Sequence, residues 1–201
     1  PWTTTQLKEM TIASSADTII VCHQEFAIQK ILRTGATTFV LSDFAFEQGT
    51  TGAPLKQPYF NFLPDNVTLN PAATSGTGVA LVASANVFVA GHVGTIFRLD
   101  HGSGYKEIEI ASVVDGQNAT FNSRETLDGT AAVNDWQEQT FSSVRGFPRC
   151  VTFHDQRLFF AGTTSRPDGL MGSKISAFFN FDLDDATDED GIDKTVGSDQ
   201  I

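Results

Sequence analysis

The sequence predicts an all-β protein, and three observations carry that reading. Its apolar runs are short and rich in Val, Ile and Phe, as at residues 17–23, 150–153 and 158–161. Turn formers separate them: the His-Asp-Gln-Arg break at 154–157, Pro167-Asp168-Gly169, and a series of glycines at 76, 78, 91, 102, 104, 116 and 129. The two ends also share one order of signals. Each runs through a strand, a His at its end, a second strand, a Gly-containing turn, a third strand and a Phe-x-Phe step, over residues 18–46 and 149–181. Short antiparallel strands repeated in this way suit the blades of a β-propeller, although any antiparallel meander satisfies the same periodicity.

Along the chain, Thr3 and Gln6 have the spacing of a capping box, and Leu7, Met10 and Ile12 follow, so a short helix is expected over about residues 4–11. Strands are expected at 17–23, 28–33 and 37–41, with Gly35 in the turn. Residues 49–54 form a linker by composition. Six strands follow, at 66–70, 79–84, 87–89, 94–99, 105–114 and 118–121, and two of them alternate with period two. They predict a small β-sandwich or barrel. The C-terminal strands are expected at 150–153, 158–161 and 170–173. The expected organisation is therefore a helix and blade-like segment over 1–50, an inserted β domain over 51–135, and a second blade-like segment over 136–201. The chain starts without Met and ends in what reads as the start of another strand, so a fragment of a longer protein is expected.

Composition narrows the function classes. A 201-residue chain with 40% hydrophobic residues is long enough for real cores and too apolar for wholesale disorder. Phe supplies 17 aromatics against 2 Trp and 2 Tyr. A bare Phe ring lacks a polar handle, so these rings are expected to pack rather than to form a carbohydrate platform. The net charge is −11, and Asp182, Asp184, Asp185, Asp188, Glu189, Asp190 and Asp193 account for seven of those charges. No basic stripe suits a nucleic-acid grip. No apolar stretch approaches the ~20 residues of a membrane-spanning helix.

The acidic run reads first as a solvated loop. Asp188-Glu189-Asp190-Gly191 imitates the middle of an EF-hand loop, but with Gly191 at position six the terminal positions fall on Ala186 and Gly197, where carboxylates are needed. A weak calcium site is the minor alternative there. Cys22 and Cys150 are two thiols in strands, expected to be buried and inert, and the sequence leaves their proximity open. Of the four His, His23 and His154 recur in matching strands and are expected to fix strand ends; His92 and His101 sit beside Gly and read as surface residues. Glu107 and Glu109 fall on the wet face of one strand, and Arg145, Arg149 and Arg157 cluster near the C-terminal segment. Gly-x-Ser-x-Gly, phosphate loops and His or Cys metal spacings are absent. No catalytic residues and no cofactor are expected.

One further pattern is an ordered series: Gly146-Phe147-Pro148-Arg149, Thr152-Phe153-His154, Arg157-Leu158, Phe160-Ala161-Gly162-Thr163, Ser173-Lys174 and Phe178-Phe179-Asn180-Phe181. It resembles the tail nozzle proteins of short-tailed bacteriophages, the tail tubular protein B family. Leu7, Ala13 to Asp17, His23, Ile31-Leu32-Arg33 and Phe39 resemble that family's opening segment. The chain departs from the family at Met171, where Trp is usual, at Ser176-Ala177, where Gly-Asp is usual, after His23, where Pro is common, and at Phe39, often Trp. The resemblance implies a non-enzymatic virion protein of the phage tail, assembled in the bacterial host cytoplasm. It implies a hexameric ring contacting other tail proteins around a channel for genome ejection, with DNA passing through unread. Asp184, Asp185, Asp188, Glu189, Asp190 and Asp193 then become a channel-facing acidic loop or a weak calcium site. A glycan-binding or glycan-degrading phage tail domain is the alternative, with its aromatics or paired carboxylates expected in the middle domain.

Overall fold

The computed structural model describes residues 2–183 and 187–197. The chain forms one short helix, α1 (Thr4–Glu9), and then strands β1 (Thr11–Ser15), β2 (Thr18–His23), β3 (Phe26–Arg33), β4 (Phe39–Asp43), β5 (Tyr59–Phe60), β6 (Leu69–Pro71), β7 (Val79–Ala83), β8 (Ile96–Asp100), β9 (Tyr105–Val113), β10 (Asn118–Ser123), β11 (Trp136–Gln139), β12 (Cys150–His154), β13 (Arg157–Ala161), β14 (Gly169–Gly172) and β15 (Ile192–Thr195). Ala90–His92 makes a single 3₁₀ turn. The protein is all-β, as predicted, with antiparallel sheets. Two compact units divide it: Pro1–Glu47, Lys56–Pro58 and Arg145–Ile201 in the first, Gln48–Leu55 and Tyr59–Val144 in the second.

In the first unit, α1 starts where the sequence places it. Thr3 Oγ1 accepts from the Gln6 amide at 3.2 Å, and Gln6 Oε1 accepts from the Thr3 amide at 3.0 Å. The helix stops at Glu9, earlier than expected, because residue 10 is already extended and Ile12 belongs to β1. Two four-stranded meanders follow, β1-β2-β3-β4 and β12-β13-β14-β15. Two-residue turns join β1 to β2, β2 to β3 and β12 to β13. Asp155 and Gln156 both have positive φ, at 45° and 59°, which matches the twist of a tight hairpin. The matched hairpins sit one strand apart in their sheets: β1 precedes the pair in the first sheet, and β15 follows β14 in the second. Both added strands escape the sequence reading, β1 because Thr-Ile-Ala-Ser-Ser carries one large apolar residue, β15 because it lies in the acidic run.

Phenylalanines build this unit's core. Phe44, Phe160 and Phe181 are buried. Phe44 meets Phe160 edge to face at 5.5 Å and Phe179 at 5.1 Å, and Phe160 stacks on Phe181 at 5.4 Å. The two Phe-x-Phe steps matched in sequence therefore pack against each other. Each buried ring contributes about 1.5–3 kcal/mol by area, and each well-oriented pair about 0.5–1.5 kcal/mol more.

The second unit is one open seven-stranded sheet, β5-β11-β8-β9-β10-β7-β6, and not the expected sandwich or barrel. Leu69 in edge strand β6 exchanges both backbone hydrogen bonds with Val133, just before β11, but this single bridge does not close the sheet. β6 is three residues long and ends in Pro71, which has no amide to extend a ladder. The inner face packs Leu69, Leu81, Phe97, Leu99, Ile108, Ile110, Phe121 and Trp136, all fully buried. Residues 87–89 do not form the expected strand. Val87 and Phe88 donate their amides to Gly116 O and bury in this core. No helix among the described residues is long and apolar enough to cross a membrane.

Candidate functional site

The connection between β14 and β15 carries the acidic segment. Asp184 and Asp185 lie outside the described residues. Asp182, Asp190 and Asp193 are tied to the first unit's own cations. Asp193 takes a two-pronged ion pair from Arg166, at 2.6 and 2.9 Å. Asp190 accepts from Lys174 Nζ at 2.9 Å and from the Thr187 amide and hydroxyl at 2.9 and 2.7 Å. The Lys174 bond first, then the Thr187 bonds, hold its carboxyl down at about 2. Asp182 pairs with Lys56. Arg157 is buried and donates to three main-chain carbonyls, Ser173, Asp188 and Asp190. Gly191 closes the loop by donating to Asp182 O at 2.8 Å, and a Cβ there would sit 2.6 Å from that oxygen. A cleft of about 300 Å³ runs between Arg157, Leu183, residues 187–188 and residues 190–194. The side chains of Asp188 and Glu189 are exposed. Among the described residues no group of three or more His, Cys, Asp or Glu is arranged to hold a metal ion.

A second polar cleft of the same unit, about 350 Å³, is lined by Glu9, His23, Gln24 and Arg149. His23 is buried, and its Nδ1 accepts from the Glu25 amide at 3.2 Å, closing the β2–β3 turn. This is the strand-end task expected of it. His154, its counterpart in sequence, is exposed. Its turn needs no such bond, because the left-handed Asp155 and Gln156 already shape it. The His23 ring stacks on Phe26 at 4.9 Å, and Phe26 on Trp2 at 5.9 Å.

Cys22 and Cys150 depart from the expectation of two buried thiols: Cys22 is buried, Cys150 is exposed. Both are free thiols. Burial, and then the nearby Cys150, push the Cys22 thiol far above its ordinary range.

In the second unit, Glu107 is buried, against the expectation of a wet face. Leu55 and Tyr59 reach it. Its Oε1 accepts from the Leu55 amide at 2.7 Å and from Tyr59 Oη at 2.5 Å, and Oε2 pairs with Arg124 at 3.1 Å. His92 is also buried rather than superficial. It accepts from the Val89 amide at Nδ1, and its Nε2 meets the fully buried Glu138 at 3.1 Å. His101 is half-buried beside Ala131 O. Arg98 lies between the Tyr59 and Tyr105 rings, 4.3 Å from each. Burial and the bond to Asp135 push the Tyr105 hydroxyl up to about 12. Sequence reasoning missed Glu138 because Gln and Glu residues disguise β11 as a polar loop. Glu107, His92 and Glu138 are held by partners within the second unit, whereas His101 Nδ1 is buried without one.

No protein-family model matches the sequence, and no curated protein matches it.

Proposed function

We propose that this chain is a structural, non-enzymatic component of a bacteriophage tail, part of the nozzle through which the genome leaves the virion. In this reading the two meanders of the first unit are β-propeller blades, and the second unit is a domain inserted between them. The chain assembles with copies of itself, in a hexameric ring by resemblance, and with other tail proteins. The reading rests on the ordered series from Gly146 to Phe181 resembling the nozzle family. One observation carries it further: the two ends of the chain form four-stranded meanders joined by packing of Phe44 and Phe46 on Phe179 and Phe181. The absence of a catalytic group is part of the proposal. The glycan-degrading alternative needs an accessible carboxylate pair in the second unit, and Glu107 is covered and paired with Arg124.

The exposed Asp188 and Glu189 carboxylates then face the passing DNA, and their charge keeps phosphates from adhering. The test is genome ejection from virions carrying Asp188→Asn and Glu189→Gln, neither of which disturbs the paired Asp190 and Asp193. Slower ejection supports the channel placement, and an unchanged rate contradicts it.

A further inference from the structure

We propose that the outer edge of β4 is a self-association site, at which the same strand of a second copy adds antiparallel across a twofold axis through Leu41. The inference rests on the β3–β4 edge and is independent of the tail-nozzle reading.

β4 is the last strand of the first meander and pairs with β3 alone. The ladder between them fixes which way its peptide groups point. Thr34 N donates to Thr38 O, and Phe44 N donates to Ile28 O. Bonded pairs alternate along an antiparallel ladder, so Leu32 bonds with Val40 and Lys30 with Ser42. Phe39, Leu41 and Asp43 direct their amides and carbonyls to the open side. All five residues of the strand are exposed, Phe39 by 58%, Val40 by 48% and Leu41 by 45%. Side chains alternate across a strand, so apolar groups stand bare on both faces of this edge. Edge strands are ordinarily blunted by Lys, Pro or a bulge. β4 has none of these, and only its terminal Asp43 is charged. The far edge of the other meander, β15, carries Asp193 and Lys194. A bare edge of the β4 kind takes another strand.

Register and charge select a second copy as that strand. Pairing β4 with itself about Leu41 sets Leu41 against Leu41, Phe39 against Asp43 and Val40 against Ser42. It is the one antiparallel self-register in which all three outward residues meet outward residues of the other copy. No like charges then face each other across the axis. On one face the order runs Arg33, Phe39, then Asp43 of the second copy, because Arg33 is the β3 neighbour of Phe39. Arg33 holds Asp17 through Nε at 3.1 Å, and its side chain is 53% exposed. Its guanidinium therefore lies at the surface, where it attracts the second copy's carboxylate across the Phe39 ring. The twofold axis repeats this arrangement at the other end. Apolar contact at the centre and opposite charges at both ends make the edge complementary to itself. A single short strand from each copy is a small interface, so the contact is weak.

The test is amide hydrogen exchange, read by NMR on the 15N-labelled protein at about 50 µM and at about 1 mM, a span that populates weak contacts. The amides of Phe39, Leu41 and Asp43 should exchange at least about tenfold more slowly at the higher concentration, while those of Val40 and Ser42 stay protected at both. Leu41→Lys and Leu41→Glu each set like charges directly opposite across the axis, so each variant alone should lose that slowing. An equimolar mixture of the two, one of them labelled, should regain it, because the new charges then attract. Leu41 is exposed, and protected Val40 and Ser42 amides check that each variant keeps its β3–β4 ladder. Exchange at the three outward amides that ignores concentration, slowing that survives either single substitution, or a mixture as fast as its components would overturn the proposal.

Discussion

The rings of Phe46 and Phe181 meet edge to face, with centroids 5.6 Å apart and planes at 82°. The contact joins residues far apart in sequence, and the backbone follows it: Glu47 N donates to Phe179 O, and Phe181 N donates to Lys56 O, both at 2.8 Å. This seam ties the two ends of the chain into one unit. Phe181 is 3% exposed. Phe181→Ala should therefore destabilise the first unit by about 3–5 kcal/mol. A Phe46→Leu, Phe181→Leu double-mutant cycle should show coupling of about 0.5–1.5 kcal/mol. Urea unfolding of the four proteins measures both, and zero coupling would deny the seam its role.

Arg157 should fix the acidic segment through its main chain rather than through charge. Its guanidinium reaches the carbonyls of Ser173, Asp188 and Asp190, a fork that a Lys cannot reproduce. Arg157→Lys should speed amide exchange at Gly191 and Ile175 by roughly tenfold or more, the equivalent of one lost charge-assisted bond. Exchange as slow as in the parent protein would show that the segment holds itself.

Asp190 sets a pH window. In the unfolded chain its carboxyl titrates at about 3.9. In the folded chain it titrates at about 2, because Lys174 and Thr187 favour the ionised form. Between these values the unfolded chain takes up a proton that the folded chain refuses. The stabilisation is complete above about pH 4 and is lost as pH falls toward 2. Lys174→Met should move the Asp190 midpoint up toward its ordinary value. A carboxyl 13C titration reads this directly.

The pair of His92 and Glu138 should matter to the second unit's stability. Glu138→Leu strands the buried His92 Nε2 proton and should cost about 1–3 kcal/mol, whereas Glu138→Gln keeps an acceptor and should cost less. Trp136 is buried two residues away, and its fluorescence during urea unfolding compares the two variants.

The thiols should separate by reactivity. Cys150 is exposed and Cys22 is both buried and shifted toward the protonated form, so a thiol reagent should label one cysteine in the native protein and both after denaturation. Rapid native labelling of Cys22 would mean that the core around it opens.

Legibility followed the physics of each segment. β2, β3, β12 and β13 were readable because Val, Ile, Leu and Phe crowd into runs bounded by turn residues, and α1 because Thr3 and Gln6 announce its cap. β11 was not: its inward positions hold Trp136 and Glu138, and a buried carboxylate breaks the apolar alternation that marks a strand. Glu107 misled for the opposite reason. It does alternate with Ile108, but on the face opposite the core Leu55 and Tyr59 bond to it, which no local pattern reveals. The acidic run advertised charge, yet its partners Lys56, Arg166 and Lys174 lie outside it and only the fold brings them in. The His23 cleft draws on α1, β2 and the residue before β12, and sequence spacing carries no trace of that meeting.

Self-assembly tests the central claim most directly. Electron microscopy of the purified protein should show closed rings around a central channel, six copies to a ring. A single dispersed copy at micromolar concentration, with no ring at any stoichiometry, would contradict the nozzle reading.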